Sequence, residues 1–203
     1  MKQLALGISP PPEPSFENFV PGANAELLAR LRELAEGRLP ESIVYLWGES
    51  GSGRSHLLCA AARASARALV LADDVETLDE TRQGKLFTQI NEARESGGSV
   101  LAAGSSPPSQ LPLREDLRSR LAWGLVYQVK PLTDAERAVY LRAEAERRGM
   151  HLADEVVAYL LTHVRRDLAS LGAILDELDR VSLEQQRAVT LPLVREALKT
   201  GTQ

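Results

Sequence analysis

A chain of 203 residues, 44% hydrophobic and 26% charged with only 4% aromatics, has material for one substantial core and a small satellite domain. Its net charge of -4, with acids and bases interspersed, provides no basic stripe to neutralise a phosphate backbone, which argues against autonomous or sequence-specific duplex binding. No apolar run approaches the ~18 to 20 residues of a membrane span, no signal-like core follows Met1-Lys2, and the single cysteine excludes a disulfide framework, so a cytoplasmic protein is expected.

Residues 1–15 hold four prolines and little periodicity, and read as an extended tail. Ala25 to Glu36 then place Leu27, Leu28, Leu31 and Leu34 on one helical face, with Gly37 as the stop. The continuous apolar run Ile43-Val44-Tyr45-Leu46-Trp47 suits a strand buried on both faces of a parallel sheet. A glycine-rich turn leads into an alanine-rich helix over Leu57 to Arg67, in which Cys59 is expected as a small core residue. Ala68 to Ala72 reads as a second buried strand, Thr81 to Ser96 as a helix closed by Gly97-Gly98, and Ser99 to Ala103 and Leu125 to Val129 as two further strands. After Pro131 the capping box Thr133-Asp134-Ala135-Glu136 opens an almost purely helical region. Strands alternating with helices imply a parallel sheet, and the expected fold is α/β with a small all-helical domain behind it. The boundaries predicted are a tail over 1–15, an α/β domain over 16–130 and a helical domain over 131–203.

The turn Gly48-Glu49-Ser50-Gly51-Ser52-Gly53-Arg54-Ser55 fits the phosphate-binding pattern G-x-x-x-x-G-K-[ST] except that Arg54 replaces lysine. Lying between a buried strand and a helix, it would converge backbone N–H groups on a phosphate anion. Ser55 would place its hydroxyl on Mg2+, and Arg54 would keep a permanent charge near the terminal phosphates. A guanidinium fork differs in shape from an ammonium, so binding is expected to survive and hydrolysis to be weak. Leu69-Val70-Leu71-Ala72 runs into Asp73 and Asp74. Two aspartates after a strand can be a mere turn or helix cap, but behind a phosphate loop they have the form of a Walker B strand. Asp73 would then hold the metal, and Asp74 would stand where a water-activating acid belongs. His56, His151 and His163 share no ligand-like spacing, while Trp47 and Trp123 read as packing residues.

These motifs, with Phe16-Glu17-Asn18-Phe19-Val20-Pro21-Gly22-Ala23-Asn24 before them and Ser119-Arg120-Leu121-Ala122-Trp123-Gly124 after, resemble the AAA+ domain of the initiator DnaA. The run Gly53-Arg54-Ser55-His56, Pro107-Pro108 and Leu121-Ala122-Trp123-Gly124 are closer to the Hda family of short DnaA homologues. The resemblance spans most of residues 16–200 and implies a P-loop AAA+ sheet flanked by helices with a helical lid, and no DNA-reading helix-turn-helix domain. It implies a nucleotide, ADP or ATP with Mg2+, cradled by Gly48, Gly51, Ser52, Gly53, Arg54 and Ser55, with His56, Phe19 and Asp73 beside it. It also implies two partners, DnaA and the β sliding clamp of DNA polymerase III, and an activity: stimulation of ATP hydrolysis by DnaA so that origins do not refire. Arg120 matches the arginine finger that acts in trans, and Arg166 the lid's sensor-2 arginine. Read without the family, Arg120 could instead pair with Glu115 or Asp116, and Arg166 with Asp167. At the sensor-1 position stands Ser105, again arguing against a vigorous ATPase. Gln3, Leu4, Leu6 and Ile8 resemble the family's clamp-binding peptide, in which an amide anchors an extended segment and aliphatic side chains fill a pocket.

One departure concerns Leu57 to Arg67, where the family has room for another strand and helix. Either an edge strand has been lost or a segment near Ala64-Ser65-Ala66-Arg67 is missing. As it stands, the chain is expected to form four strands with one fewer covering helix. Two further readings stay open: a self-contained AAA+ ATPase working as a helicase-loading or remodelling factor, and a scaffold that binds no nucleotide. Homodimer formation is also left open.

Overall fold

The computed structural model describes residues 13–200, and its chain divides into two units, Glu13–Pro131 and a helical unit that begins at Leu132. In the first unit a helix, α1 (Ala25–Ala35), precedes strand β1 (Ile43–Trp47). Then come α2 (Arg54–Ala64), β2 (Leu69–Ala72), α3 (Glu80–Ser96), β3 (Ser99–Gly104), α4 (Glu115–Leu121) and β4 (Leu125–Gln128). The four strands are parallel in the order β2-β3-β1-β4, with Tyr45 opposite Ala102 and Val126 across the two ladders of β1.

Successive residues of β1 bury on opposite sides. Val44 and Leu46 pack with the leucines of α1 and the Leu57–Ala61 stretch of α2, whereas Ile43 and Tyr45 pack with Leu86 and Ile90 of α3 and Leu117 and Leu121 of α4. That two-sided burial explains an uninterrupted apolar strand in place of an alternating one. Because the strands run parallel, the carboxyl ends of β1, β2 and β3 lie at one edge of the sheet, the edge where parallel α/β sheets bind ligands.

Several expectations are corrected in detail. Strand β2 is an edge strand: it pairs with β3 alone, its residues are only partly buried, and Leu71 is 41% exposed. Its apolar composition resembles that of β1, but strand order leaves one flank uncovered. Helix α2 starts three residues before Leu57, directly from Gly53, and ends at Ala64 because Ser65 turns extended. Cys59 is exposed, on the side of α2 away from the buried Leu57, Leu58, Ala60 and Ala61, so it is not a core residue. Gly37 and Gly97 take left-handed φ values of 69° and 74° at the ends of α1 and α3, the conformation that closes a helix at glycine.

The second unit is four helices, α5 (Asp134–Arg147), α6 (Asp154–His163), α7 (Leu168–Gln185) and α8 (Leu191–Thr200). Its start is the expected capping box: Glu136 N–H donates to Thr133 Oγ1 at 3.2 Å, and Thr133 N–H to Glu136 Oε2 at 2.7 Å. Leu141, Leu160, Leu171, Leu175 and Leu178 are fully buried in its core. Arg148 ties α5 to α7 by reaching Glu144 on one side and Asp176, at 2.7 Å, on the other. Among the described residues no helix is long and apolar enough to cross a membrane.

Candidate nucleotide-binding site and the Arg120 cluster

The glycine-rich turn links β1 to α2 without an intervening residue of regular structure. Gly51 and Gly53 have φ of 79° and 102°, values costly for any residue with a Cβ, and Gly53 caps α2. Gly48 is needed for space, since a Cβ there would come within 2.6 Å of the Val129 carbonyl. The loop therefore wraps tightly in front of an eleven-residue helix whose first N–H groups lack intrahelical acceptors.

Two buried donors in this loop have no protein partner: Ser52 Oγ and Arg54 Nη1. Leaving such groups unsatisfied costs about 1 to 3 kcal/mol each, and donors of this kind suit an anion of phosphate type. The fit to a nucleotide diphosphate thus rests on orphaned donors as well as on loop shape. The oxygen donors Ser55 and Asp73, both exposed, suit Mg2+, which takes a few protein oxygens and completes its shell with phosphate and water.

Phe19 lies on the loop, with its ring edge where a Cβ on Gly53 would fall within 2.8 Å, and its centroid is 5.6 Å from that of His56. His56 Nε2 meets the Ser15 carbonyl at 2.9 Å and must donate there, and Glu13 pairs with Arg63. Residues 13–19 are in this way strapped along α2. Phe19 and His56 thus both sit beside the loop. Gln3, Leu4, Leu6 and Ile8 lie outside the described residues.

At the end of β2, Asp74 occupies a left-handed conformation with φ of 43°, and its N–H donates to Asp73 Oδ1 at 2.9 Å. Arg54 Nη2 reaches Asp74 Oδ1 at 3.5 Å; the arginine side chain is 10% exposed and the aspartate side chain 56%. The arginine that follows Gly53 thus leans on the second acid of the strand end.

Ser105, just beyond β3, is held through its backbone. Its N–H donates to Glu76 Oε1 at 3.1 Å, and the neighbouring Ser106 carbonyl accepts from Tyr45 Oη at 2.8 Å. Burial first, and then the nearby Glu76 charge, push the Tyr45 phenol well above its ordinary range, against an opposing pull from Arg54, so it stays a donor. Glu76 Oε2 is buried without a partner, and Gly104 leaves room for this cluster, where a Cβ would strike Tyr45 Oη. Sequence reasoning missed Glu76 and Tyr45: no motif flags a carboxylate three residues past Asp73, and Tyr45 is indistinguishable from its apolar neighbours.

Arg120 lies in the last turn of α4. Neither acidic residue of that helix takes it as the sequence alternative supposed, for Asp116 pairs with Arg114 at 2.7 Å. Its guanidinium carbon is instead 3.7 Å from the Trp123 ring centroid and 5.3 Å from that of Phe87, and Nε is buried with no hydrogen-bond partner. Arg94 approaches the same indole at 5.0 Å. Trp123 is 51% exposed, so it is no interior packing residue, whereas Trp47 does pack against the core.

In the helical unit Arg166 faces Asp134 at 3.7 Å with a side chain 64% exposed, and it is Arg165 that pairs with Asp167, at 3.3 Å. Asp167 caps α7 by accepting from Ser170 N–H at 2.8 Å.

Residues 134–198, about a third of the chain, match the family model described as Hda, lid domain. Among solved structures, domain III of Thermotoga maritima DnaA superposes with a TM-score of 0.76 at 22% identity, covering 93% of this chain and 97% of that one. Aquifex aeolicus DnaA with AMPPCP bound gives 0.69 at 20% identity over 81% and 64% of the two chains. The Thermotoga maritima RuvB Holliday junction branch migration motor gives 0.70 at 15% identity over 93% and 72%. The fold is that of AAA+ proteins: a parallel four-stranded sheet flanked by helices, followed by a helical region. A lid matching the Hda model, together with a fold shared with DnaA domain III, is consistent with a member of the Hda family.

Proposed function

We propose that this DnaA-related replication regulator is an adaptor that holds ADP, sits on the DNA-loaded sliding clamp and stimulates ATP hydrolysis by DnaA, preventing re-initiation in the cytoplasm. The observation that carries the reading is the Hda lid match, joined to a phosphate loop with two orphaned buried donors. Under it, residues 16–130 are the nucleotide-binding domain, 131–203 the lid and 1–15 the clamp-binding tail. Gly48, Gly51, Ser52, Gly53, Arg54 and Ser55 enclose the phosphates, Phe19 and His56 border the nucleoside, and Arg166 serves the lid. Bound Mg2+, held by Ser55 and Asp73, would neutralise phosphate charge. The AMPPCP in the Aquifex aeolicus relative supports an adenine nucleotide here.

Within this chain the arrangement favours holding over hydrolysing. Asp74 would be the residue to activate water, and the Arg54 guanidinium, 3.5 Å from its carboxylate, engages it as an ion-pair partner. Arg120, meeting no carboxylate, retains an uncompensated charge to set against the phosphoryl group of DnaA-bound ATP. A guanidinium supplied in trans at that point is worth ~10³ to 10⁵ in rate.

The test is a hydrolysis assay with ATP-loaded DnaA and loaded clamp. Arg120→Ala should abolish stimulation while keeping clamp retention, and deletion of residues 2–8 should abolish retention. Rapid ATP turnover by the isolated chain, without DnaA or clamp, would support the self-contained ATPase in its place, and failure to bind labelled ADP would support the inert scaffold.

A further inference from the structure

We infer that Trp123, assisted by Phe87, is a positioning residue for Arg120, forming an aromatic cradle that presents the guanidinium with its charge intact. The inference rests on the reading of Arg120 as the residue that acts on DnaA.

The local chain geometry builds the cradle. Arg120 ends α4, and the Trp123 N–H closes back on the Arg120 carbonyl at 3.2 Å, so the two side chains leave the same tight turn. Gly124 follows because a Cβ there would land on the Ile43 carbonyl; the backbone runs against β1 at this point and enters β4 at once. With the chain pinned between α4 and β1, the indole projects outward, half exposed, and the guanidinium lies at 3.7 Å from its centroid. Phe87 comes from α3, an element fixed independently by Leu86 and Ile90 in the core.

A ring face holds an arginine in a way a carboxylate does not. A carboxylate takes the fork donors and neutralises the charge, whereas stacking attracts the cation through the ring quadrupole and leaves in-plane donors to bind oxygen. The buried Nε, without any hydrogen-bond partner, shows that the π contacts and not a polar network hold this side chain. Glu115 and Asp116 lie on the same helix, yet Asp116 is engaged by Arg114. Arg94, on the same indole at 5.0 Å, adds positive charge beside Arg120 and raises its affinity for a phosphate.

The experiment compares Trp123→Leu, Trp123→Phe and Arg120→Ala in the full chain, measuring both the rate of DnaA-bound ATP hydrolysis at saturating chain and the concentration giving half of it. Trp123→Leu should lower the saturating rate roughly ten-fold while moving the half-saturation point far less, and Trp123→Phe should recover most of the rate. Proton NMR of the free chain supplies a reading independent of DnaA: the Arg120 δ-protons should be shifted upfield by ring current, an effect lost in Trp123→Leu and kept in Trp123→Phe. Absence of that shift in the unaltered chain overturns the cradle. A full saturating rate in Trp123→Leu beside an inactive Arg120→Ala overturns positioning and leaves the finger standing. An effect of Trp123→Leu on half-saturation alone makes the tryptophan a docking residue and overturns the inference, and an unaffected Arg120→Ala overturns both readings.

Discussion

Replacing Arg54 by alanine separates the two roles proposed for one guanidinium. In the free protein its ion pair is the 3.5 Å contact with Asp74, whose side chain is more than half exposed, and a pair so screened contributes about 0 to 1 kcal/mol. The same guanidinium keeps Nη1 buried with no partner at the mouth of the phosphate loop. Charge-assisted hydrogen bonds to a phosphate are worth about 1.5 to 3 kcal/mol, and each ~1.4 kcal/mol is ten-fold in affinity. Arg54→Ala should therefore weaken ADP binding by roughly 10- to 150-fold while lowering the unfolding free energy by no more than ~1 kcal/mol. Titration with a fluorescent ADP analogue, beside urea unfolding followed by Trp47 and Trp123, reads the two quantities separately. Arg54→Lys should retain affinity within a few-fold. An unchanged dissociation constant for Arg54→Ala, with the protein folded, would refute the placement of this side chain at the phosphates.

Gly124→Ala sets a Cβ against the main-chain carbonyl of Ile43, which cannot swing away as a side chain would, and should cost about 1 to 3 kcal/mol in urea unfolding of the α/β unit. Leu175→Ala, at a fully buried position of the helical unit, should cost about 2 to 5 kcal/mol and be visible as an earlier loss of far-ultraviolet circular dichroism. Asp167→Ala removes the α7 cap and should cost about 1 kcal/mol by the same measurement. Hydrogen bonding from Arg147 foremost, with Arg148 adding and partial burial opposing, holds the Glu144 carboxyl below the usual carboxylate range. Asp167 is likewise lowered, burial opposing while Ser170 and Arg165 prevail. Because both groups titrate lower in the folded than in the unfolded chain, their stabilisation is present above the ordinary carboxylate pKa of ~4. It is lost as pH falls through the folded values, so helical signal should become easier to melt with urea below about pH 4 and not between pH 6 and 8.

Much of the fold was legible because its signals are local. The run Ile43–Trp47 is apolar throughout since both faces of β1 are covered, the capping box of Thr133 lies within four residues, and Gly97 stops α3 by its own backbone freedom. The glycine-rich turn before α2 was legible for the same reason, being eight contiguous residues whose glycines serve the loop itself. What could not be read depended on contacts between distant segments. Whether β2 is central or at an edge follows from strand order, which composition does not encode, and Leu71 pays for it in exposure. The exposure of Cys59 turns on the phase of an alanine-rich helix, where small residues on every side blur the apolar face. Glu76 and Ser105 are 29 residues apart in the chain and meet only because β2 and β3 are neighbours.

Two arginines of the α/β unit, Arg54 and Arg120, show how far an identical side chain is specified by surroundings. Arg54, 10% exposed at the start of α2, meets the Asp74 carboxylate at 3.5 Å. Arg120, at the end of α4, meets aromatic rings, and no paired anion quenches its charge. A guanidinium held beside a carboxylate, with a buried Nη1 still lacking a partner, is suited to retaining a bound anion, because an incoming phosphate would satisfy that donor. One fixed by ring faces is suited to acting elsewhere, since nothing has to be broken before its fork engages a second molecule. Interchanging the environments tests the argument: Trp123→Glu should give Arg120 a carboxylate partner and suppress stimulation of DnaA, with ADP affinity unchanged because the phosphate loop is untouched. Were stimulation to persist with that ion pair formed, the free charge on Arg120 would have no part in the chemistry.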